Sequence, residues 1–270
     1  MIQTDRGASD RLAEDAVFEA SGLDISFLQY ECESEEDLIE LCSQADALMP
    51  AYAPLTARVL NRMPSCVIVA FMATGFNSVD MAAATARGIL VTNVPDYCTT
   101  EVADHTMGFL LALGRSIARL SHSVREGLWE FEAAGRPERV SEQSLGIIGL
   151  GRIGSAVARR AGAFGLRMSG YDPYVDEAYM SGLGVRNTSL DEVLACDYVS
   201  LHCLLTDETR RIIDADSLAR MKHGSFLINT ARGACVDTEA VTEALVQGRL
   251  AGAALDVLDP EPLPAGHPLL

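Results

Sequence analysis

The chain has 270 residues, enough to bury a sizeable core and to form roughly two domains. It is 49% hydrophobic and 22% charged, as a globular protein is, and no apolar run is long enough to span a bilayer. With 21 basic residues against 38 acidic ones the net charge is −17, a field that repels nucleic-acid phosphates and anionic lipid surfaces. No basic flank leads into an apolar leader, so a cytoplasmic location is expected. Seven scattered cysteines without a Cys-x-x-Cys pair read as reduced structural thiols, and no metal is expected.

In chain order, the first third alternates strand and helix signals. An extended Ile2–Thr4 precedes a helical Asp10–Ser21, the apolar-alternating DISFLQY, and SEEDLIELCSQ, where Ser34 is the expected N-cap ahead of acids suited to a helix N-terminus. Strands follow at DALM, VIVAF and ILVTNV, with a helix at MAAATARG. Such alternation predicts a parallel sheet flanked by helices. From Thr99 to about Val124 no proline interrupts the pattern, which predicts one long helix capped by Thr99 or Thr100. Residues 125–143 are polar and turn-prone and read as a loop. A second strand–helix series then runs through SLGIIG, LRMSGYD, a helix capped by Ser189, DYVSLHC, a short helix near Asp214–Met221, GSFLINT, a helix over Asp237–Gln247, and AGAALDV. This is the order of a doubly wound nucleotide-binding domain.

Within that series an apolar strand meets Gly149, Gly151 and Gly154 in G-x-G-x-x-G spacing, and a helix rich in small residues follows. Gly149 permits the tight turn, Gly151 removes a Cβ that would block a pyrophosphate, and Gly154 lets the helix pack closely. The diphosphate is expected on the unpaired N–H groups of the helix start, with Arg152 and Ile153 beside it. Asp172 ends the next strand 18 residues after Gly154, near the spacing at which an acid receives the adenosine ribose hydroxyls. A carboxylate there repels a 2′-phosphate, so NAD rather than NADP is the expected cofactor.

The segments NVPDYCTTEVADH, LGIIGLGRIG, SLHCLLTDETRRIID, MKHGSFLINTARGACVDTEAV and GRLAGAALDVLDPEPLP occur in this order over nearly the whole chain. Together they resemble the D-isomer-specific 2-hydroxyacid dehydrogenases, and most the subgroup related to C-terminal-binding protein and phosphoglycerate dehydrogenase. The resemblance implies an α/β protein with a flavodoxin-like substrate domain over 1–96 and an NAD-binding Rossmann domain over 97–270, with a cleft closing on the substrate. It implies hydride transfer between NAD and a small 2-oxo or 2-hydroxy acid of the glyoxylate, hydroxypyruvate or phosphoglycerate kind. An NADH-sensing regulatory or scaffolding role, as in C-terminal-binding-protein relatives, is the alternative.

By the same resemblance Arg232 in NTARG holds the substrate's carboxylate and carbonyl oxygen, where a forked permanent cation meets developing negative charge. Glu261 in LDPEPLP is the glutamate that orients an acid/base histidine; Asp259 is the weaker candidate. That histidine normally stands in a later Pro-His motif, which these residues lack, so a C-terminally shortened chain with impaired turnover is expected. His267 belongs to a different position, and His105, His122, His202 and His223 read as structural. Thr74, Cys203, Thr230, Ala231 and Asp256 match cofactor contacts, with Asp256 near the carboxamide end and Cys203 equally a buried thiol. The backbone of Ala73, Thr74 and Gly75 matches the substrate-carboxylate loop, where Phe76 and Asn77 depart from the usual wording. A homodimer built through the Rossmann domain and the Thr99 helix is the implied assembly.

Overall fold

Most helices here begin on a side chain that accepts the first free backbone N–H groups, which confines each helix to a short, defined register. The computed structural model describes residues 1–5, 12–135 and 137–270. Ser34 closes a capping box with Asp37 at the start of α2 (Glu35–Cys42). Thr56 caps α3 (Ala57–Leu60) and Asp80 caps α4 (Met81–Ala86). With α1 (Leu12–Ser21) they alternate with β1 (Ile2–Gln3), β2 (Leu28–Gln29), β3 (Ala47–Met49), β4 (Ile68–Ala70) and β5 (Leu90–Thr92). Of the expected first helix, Asp10 and Arg11 lie outside the described residues. The five strands are parallel in the order β2-β1-β3-β4-β5, the flavodoxin-like arrangement. DISFLQY contributes only Leu28 and Gln29, because its partner β1 offers two residues to pair with.

The chain divides into two compact units, Met1–Tyr97 and Cys98–Leu270. The second opens with α5 (Thr99–Gly114) and α6 (Ile117–Arg125), which corrects the single long helix expected through Val124. Gly114 packs where a Cβ would come 2.2 Å from the Tyr198 hydroxyl. Ser116 then turns into the left-handed region at φ 53°, with its hydroxyl donating to the Ala134 carbonyl at 2.8 Å. The N-cap of α5 is Cys98, without a side-chain bond, rather than Thr99 or Thr100.

Two single 3₁₀ turns, Phe131–Ala134 and Val140–Glu142, lead to β6 (Ser144–Ile148). Then follow α7 (Arg152–Ala163), β7 (Arg167–Tyr171), α8 (Glu177–Gly182), β8 (Val185–Asn187), α9 (Leu190–Leu194) and β9 (Tyr198–Leu201). The unit continues through α10 (Ala215–Arg220), β10 (Ser225–Asn229), α11 (Thr238–Val246) and β11 (Leu250–Leu255). Ser189 and Glu192 form a capping box at α9, and Asp237 caps α11. Neither α8 nor β8 is expected from sequence: the edge strand Val-Arg-Asn is too short to show alternation. The six strands are parallel in the order β11-β10-β9-β6-β7-β8. The order reverses between β6 and β9, which opens the crevice where doubly wound sheets bind ligands. Leu145, Ile147, Tyr198, Val199, Leu227 and Ile228 are buried, as in a sheet covered on both faces. No described helix is long and apolar enough to cross a membrane.

Two details bear on stability. The Cys32 and Cys42 thiols lie 4.0 Å apart in the first core, and burial pushes the Cys42 thiol up to about 12, away from thiolate chemistry. Asp197, also buried, accepts from the Ser144 N–H at 2.8 Å, from its hydroxyl at 2.6 Å, and from Lys222, tying β6 and β9 to the turn before β10. Burial alone raises its pKa, but Lys222 and Ser144 outweigh that and hold the carboxyl below the usual range. Its stabilisation is therefore present above the unfolded carboxylate pKa and lost as pH falls through the lower folded value. Asp197→Asn is expected to cost roughly 1–3 kcal/mol at neutral pH. The gap from wild type, read by urea unfolding, is expected to close below about pH 4.

Candidate active site

The turn leaving β6 is closed by two glycines and opened by a third. Gly149 has φ 90°, donates its N–H to the Tyr171 carbonyl at 3.0 Å, and lies where a Cβ would approach the Cys203 backbone nitrogen to 2.6 Å. Gly154 brings the first turn of α7 so near that a Cβ would meet the Gly149 carbonyl at 2.0 Å. Around Gly151, by contrast, nothing lies within 4 Å of where a Cβ would stand. Gly151 is also the N-cap of α7 and supplies no side-chain acceptor, so the first N–H groups of the helix face that open space uncapped. The donors and the free volume fit a diphosphate. Arg152 is exposed and Ile153 half-buried at the same helix start.

Asp172 directly follows β7. One of its oxygens accepts from the Leu150 N–H at 2.8 Å and the other from the Tyr174 N–H at 2.9 Å, so the carboxylate braces the turn from its edge. Beneath the turn the His202 N–H donates to the Ile148 carbonyl at 2.7 Å. Its Nε2 pairs with the Ser200 hydroxyl at 2.9 Å while Nδ1 is enclosed without a partner. Burial pushes this imidazole down to about 4, so it is neutral and unsuited to acid catalysis at neutral pH. The next residue, Cys203, is hydrogen-bonded to Cys235; that bond, with burial, pushes its thiol pKa up and keeps it protonated.

Beyond β10 the chain makes a turn held by Asn229. Its Oδ1 accepts from the Ala231 N–H at 3.0 Å, and its Nδ2 donates to the Arg232 carbonyl at 2.9 Å. The half-buried Arg232 side chain donates through Nη1 to the Ala231 carbonyl at 2.6 Å. At Gly233 a Cβ would stand 1.9 Å from the Leu258 carbonyl oxygen, so the Arg232 turn and the segment leading to Glu261 meet backbone to backbone. Thr238 reinforces this contact by donating to the Asp259 carbonyl at 2.7 Å. Asp256 is joined to the same turn through its N–H, which donates to the Asn229 carbonyl at 3.0 Å.

Glu261 itself is exposed and accepts from the Leu258 N–H at 3.3 Å. His267 lies against Glu239 instead, at 3.2 Å, and among the described residues no histidine is hydrogen-bonded to Glu261. Thr230 is buried, and its hydroxyl meets that of Thr106 at 3.0 Å, so its side chain serves the interior. Ala231 is also buried.

In the first unit the Ala73–Gly75 loop follows β4. The Thr74 hydroxyl donates to the Val94 carbonyl at 3.0 Å, and Asn93 Nδ2 donates to the Thr74 carbonyl at 2.7 Å. After β1 the Asp5 carboxylate accepts from the consecutive N–H groups of Ala51, Tyr52 and Ala53, which shapes the loop after β3.

Residues 107–270 match the family model of the D-isomer specific 2-hydroxyacid dehydrogenase NAD binding domain. The chain belongs to this family. It is 41% identical over 244 residues to the glyoxylate reductase of Korarchaeum cryptofilum, covering 88% of this chain and 73% of that protein. It is 37% identical over 240 residues to the D-3-phosphoglycerate dehydrogenase of Methanocaldococcus jannaschii, covering 88% of this chain but only 45% of that protein. Among solved structures, the D-lactate dehydrogenase of Aquifex aeolicus complexed with NAD and lactic acid aligns with TM-score 0.84 and 32% identity, over 96% of this chain and 77% of that one.

As a dehydrogenase of this family the chain takes NAD, and the open glycine turn has the donors and free volume to fit a diphosphate. Sequence reasoning passed over Asn229 and Gly233, which shape the Arg232 turn, and Asp5. An Asn closing a strand is a turn signal and was legible in NTARG. Asp5 carries no such signal, since its three partners lie more than forty residues away. Because Gly151 faces open space and Gly154 faces a carbonyl, their alanine variants separate two effects. Gly151→Ala is expected to leave thermal stability unchanged while weakening NAD binding at least about tenfold. Gly154→Ala is expected to destabilise the fold by about 1–3 kcal/mol. Calorimetric NAD titration alongside thermal melts reads both.

Proposed function

We propose that the chain is an NAD-dependent oxidoreductase interconverting a 2-oxo acid and a D-2-hydroxy acid, with small glyoxylate-, hydroxypyruvate- or phosphoglycerate-like substrates. The observation that carries this reading is the Arg232 turn, clamped by Asn229 at the carboxyl end of β10 in the same sheet as the glycine turn. When bound, NAD supplies or accepts the hydride at its nicotinamide ring. Gly149, Gly151 and Gly154, with Arg152 and Ile153, hold the diphosphate; Asp172 takes the adenosine ribose hydroxyls; Cys203, Thr230, Ala231 and Asp256 line the course of the cofactor. Arg232 binds the substrate carboxylate and the carbonyl oxygen on which negative charge develops. Glu261 orients the acid/base histidine. Since none of the described histidines is bonded to Glu261, turnover by these 270 residues is expected to be slow, by the roughly 10²–10⁴ that general acid–base catalysis contributes. Homodimerisation through the second unit belongs to the same reading, supported by the exposed Trp129 and Phe131 that follow α6.

A screen of 2-oxo acids with NADH, followed by loss of absorbance of the reduced cofactor, tests the activity. Arg232→Ala is expected to lower kcat/KM by about 10²–10³ while leaving NADH affinity in place. Tight NADH binding with no 2-oxo acid turned over would instead favour a regulatory role. For the cofactor, NAD is expected to bind at least about tenfold tighter than NADP, with Asp172→Asn narrowing the margin. Equal affinities in the wild type would remove Asp172 as the selecting group.

A further inference from the structure

Two adjacent residues of α5 grip the two loops at the Arg232 end of the second unit. Thr106 receives the Thr230 hydroxyl at 3.0 Å, its own proton going to the Val102 carbonyl at 2.8 Å. His105 places Nε2 3.3 Å from Asp256 Oδ1, and its ring lies against Phe109 with centres 4.1 Å apart. Asp256 is in turn tied by its N–H to Asn229, which holds the Arg232 carbonyl. The imidazole and the carboxylate are each about half exposed, 49% and 48%, so the pair is open to solvent. Other charged groups stand on the surrounding elements. Asp104 pairs with Arg160 of α7 at 2.6 Å, Glu101 lies one turn earlier on α5, and Arg232, from the loop after β10, donates to the Ala231 carbonyl.

We infer that His105 is a positioning residue that sets the charge Asp256 presents to the nicotinamide, and thereby the relative affinity for oxidised and reduced cofactor. This rests on the reading that places Asp256 at the nicotinamide end. The oxidised ring is cationic and the reduced ring neutral, so a bare carboxylate favours NAD⁺, whereas a carboxylate paired with imidazolium loses that preference. Imidazole is the side chain that exchanges its charge between about pH 5 and 8. Acid conditions therefore favour NADH and alkaline ones NAD⁺. The sense suits the chemistry: reduction of a 2-oxo acid sends hydride to the carbonyl carbon and takes up a proton on its oxygen, so the reductant is preferred when protons are plentiful.

The test is calorimetric titration of NAD⁺ and NADH into the 270-residue chain and its His105→Gln and His105→Lys variants, at about pH 5.5 and about pH 8.5. In the wild type the ratio of dissociation constants, NAD⁺ over NADH, is expected to fall roughly fivefold from acid to alkaline pH. Gln is expected to hold the alkaline ratio at both pH values and Lys the acid one. A ratio indifferent to residue 105, or one that follows pH equally in wild type and Gln, overturns the inference. Should the Lys variant not fold, wild type against Gln decides. Failure of the wild type to bind either form overturns the cofactor reading itself, a result distinct from binding of both with an unresponsive ratio.

Discussion

The approach of α7 to the Gly149 carbonyl governs what the second unit can hold. With a Cβ at Gly154 only 2.0 Å from that oxygen, the helix start and the end of β6 are in backbone contact, and the turn between them has no room to vary. The donors of the first helical turn are thus aimed outward at a fixed place, uncapped, beside open space at Gly151. An anion-binding site made of backbone survives exchange of the side chains around it, and its electrostatics come from the helix start.

The same device recurs two strands away, at the carboxyl end of β10. Gly233 lets the Arg232 turn meet the Leu258 carbonyl, so two segments distant in sequence move as one piece. Asn229 shapes the turn and receives the Asp256 N–H on its own carbonyl, while α5 backs both loops through His105 and Thr106. In the proposed reaction the Arg232 guanidinium gains from this rigidity, because misplacement of a catalytic group by about 1 Å costs about a hundredfold in rate. The histidines follow a matching logic. His202 is sacrificed to packing under the turn and kept neutral, whereas His105 stands half exposed against a carboxylate.

Much of the architecture was legible from local chemistry. The caps at Ser34 and Ser189 were readable because a side-chain acceptor and its N–H lie within three residues of each other. The strands of the second unit stood out as apolar runs because both sheet faces are buried. The break at Ser116 was not readable, since the partner of its hydroxyl, the Ala134 carbonyl, lies outside the helical stretch. Strand β8 and helix α8 were missed for the opposite reason, being too short to show a period.

The sequence by itself determined the glycine spacing, the acid after β7 and the NTARG turn, each encoded within about thirty residues. Tertiary structure alone decided how those pieces are used. Asp172 braces the turn through Leu150, the Thr230 hydroxyl faces inward to Thr106, and Asp256 has His105 for a neighbour. The reason is physical. A turn or a cap depends on neighbours that a short stretch of chain already contains, whereas the partner of a side chain at a sheet edge is whatever the crossover connections bring there.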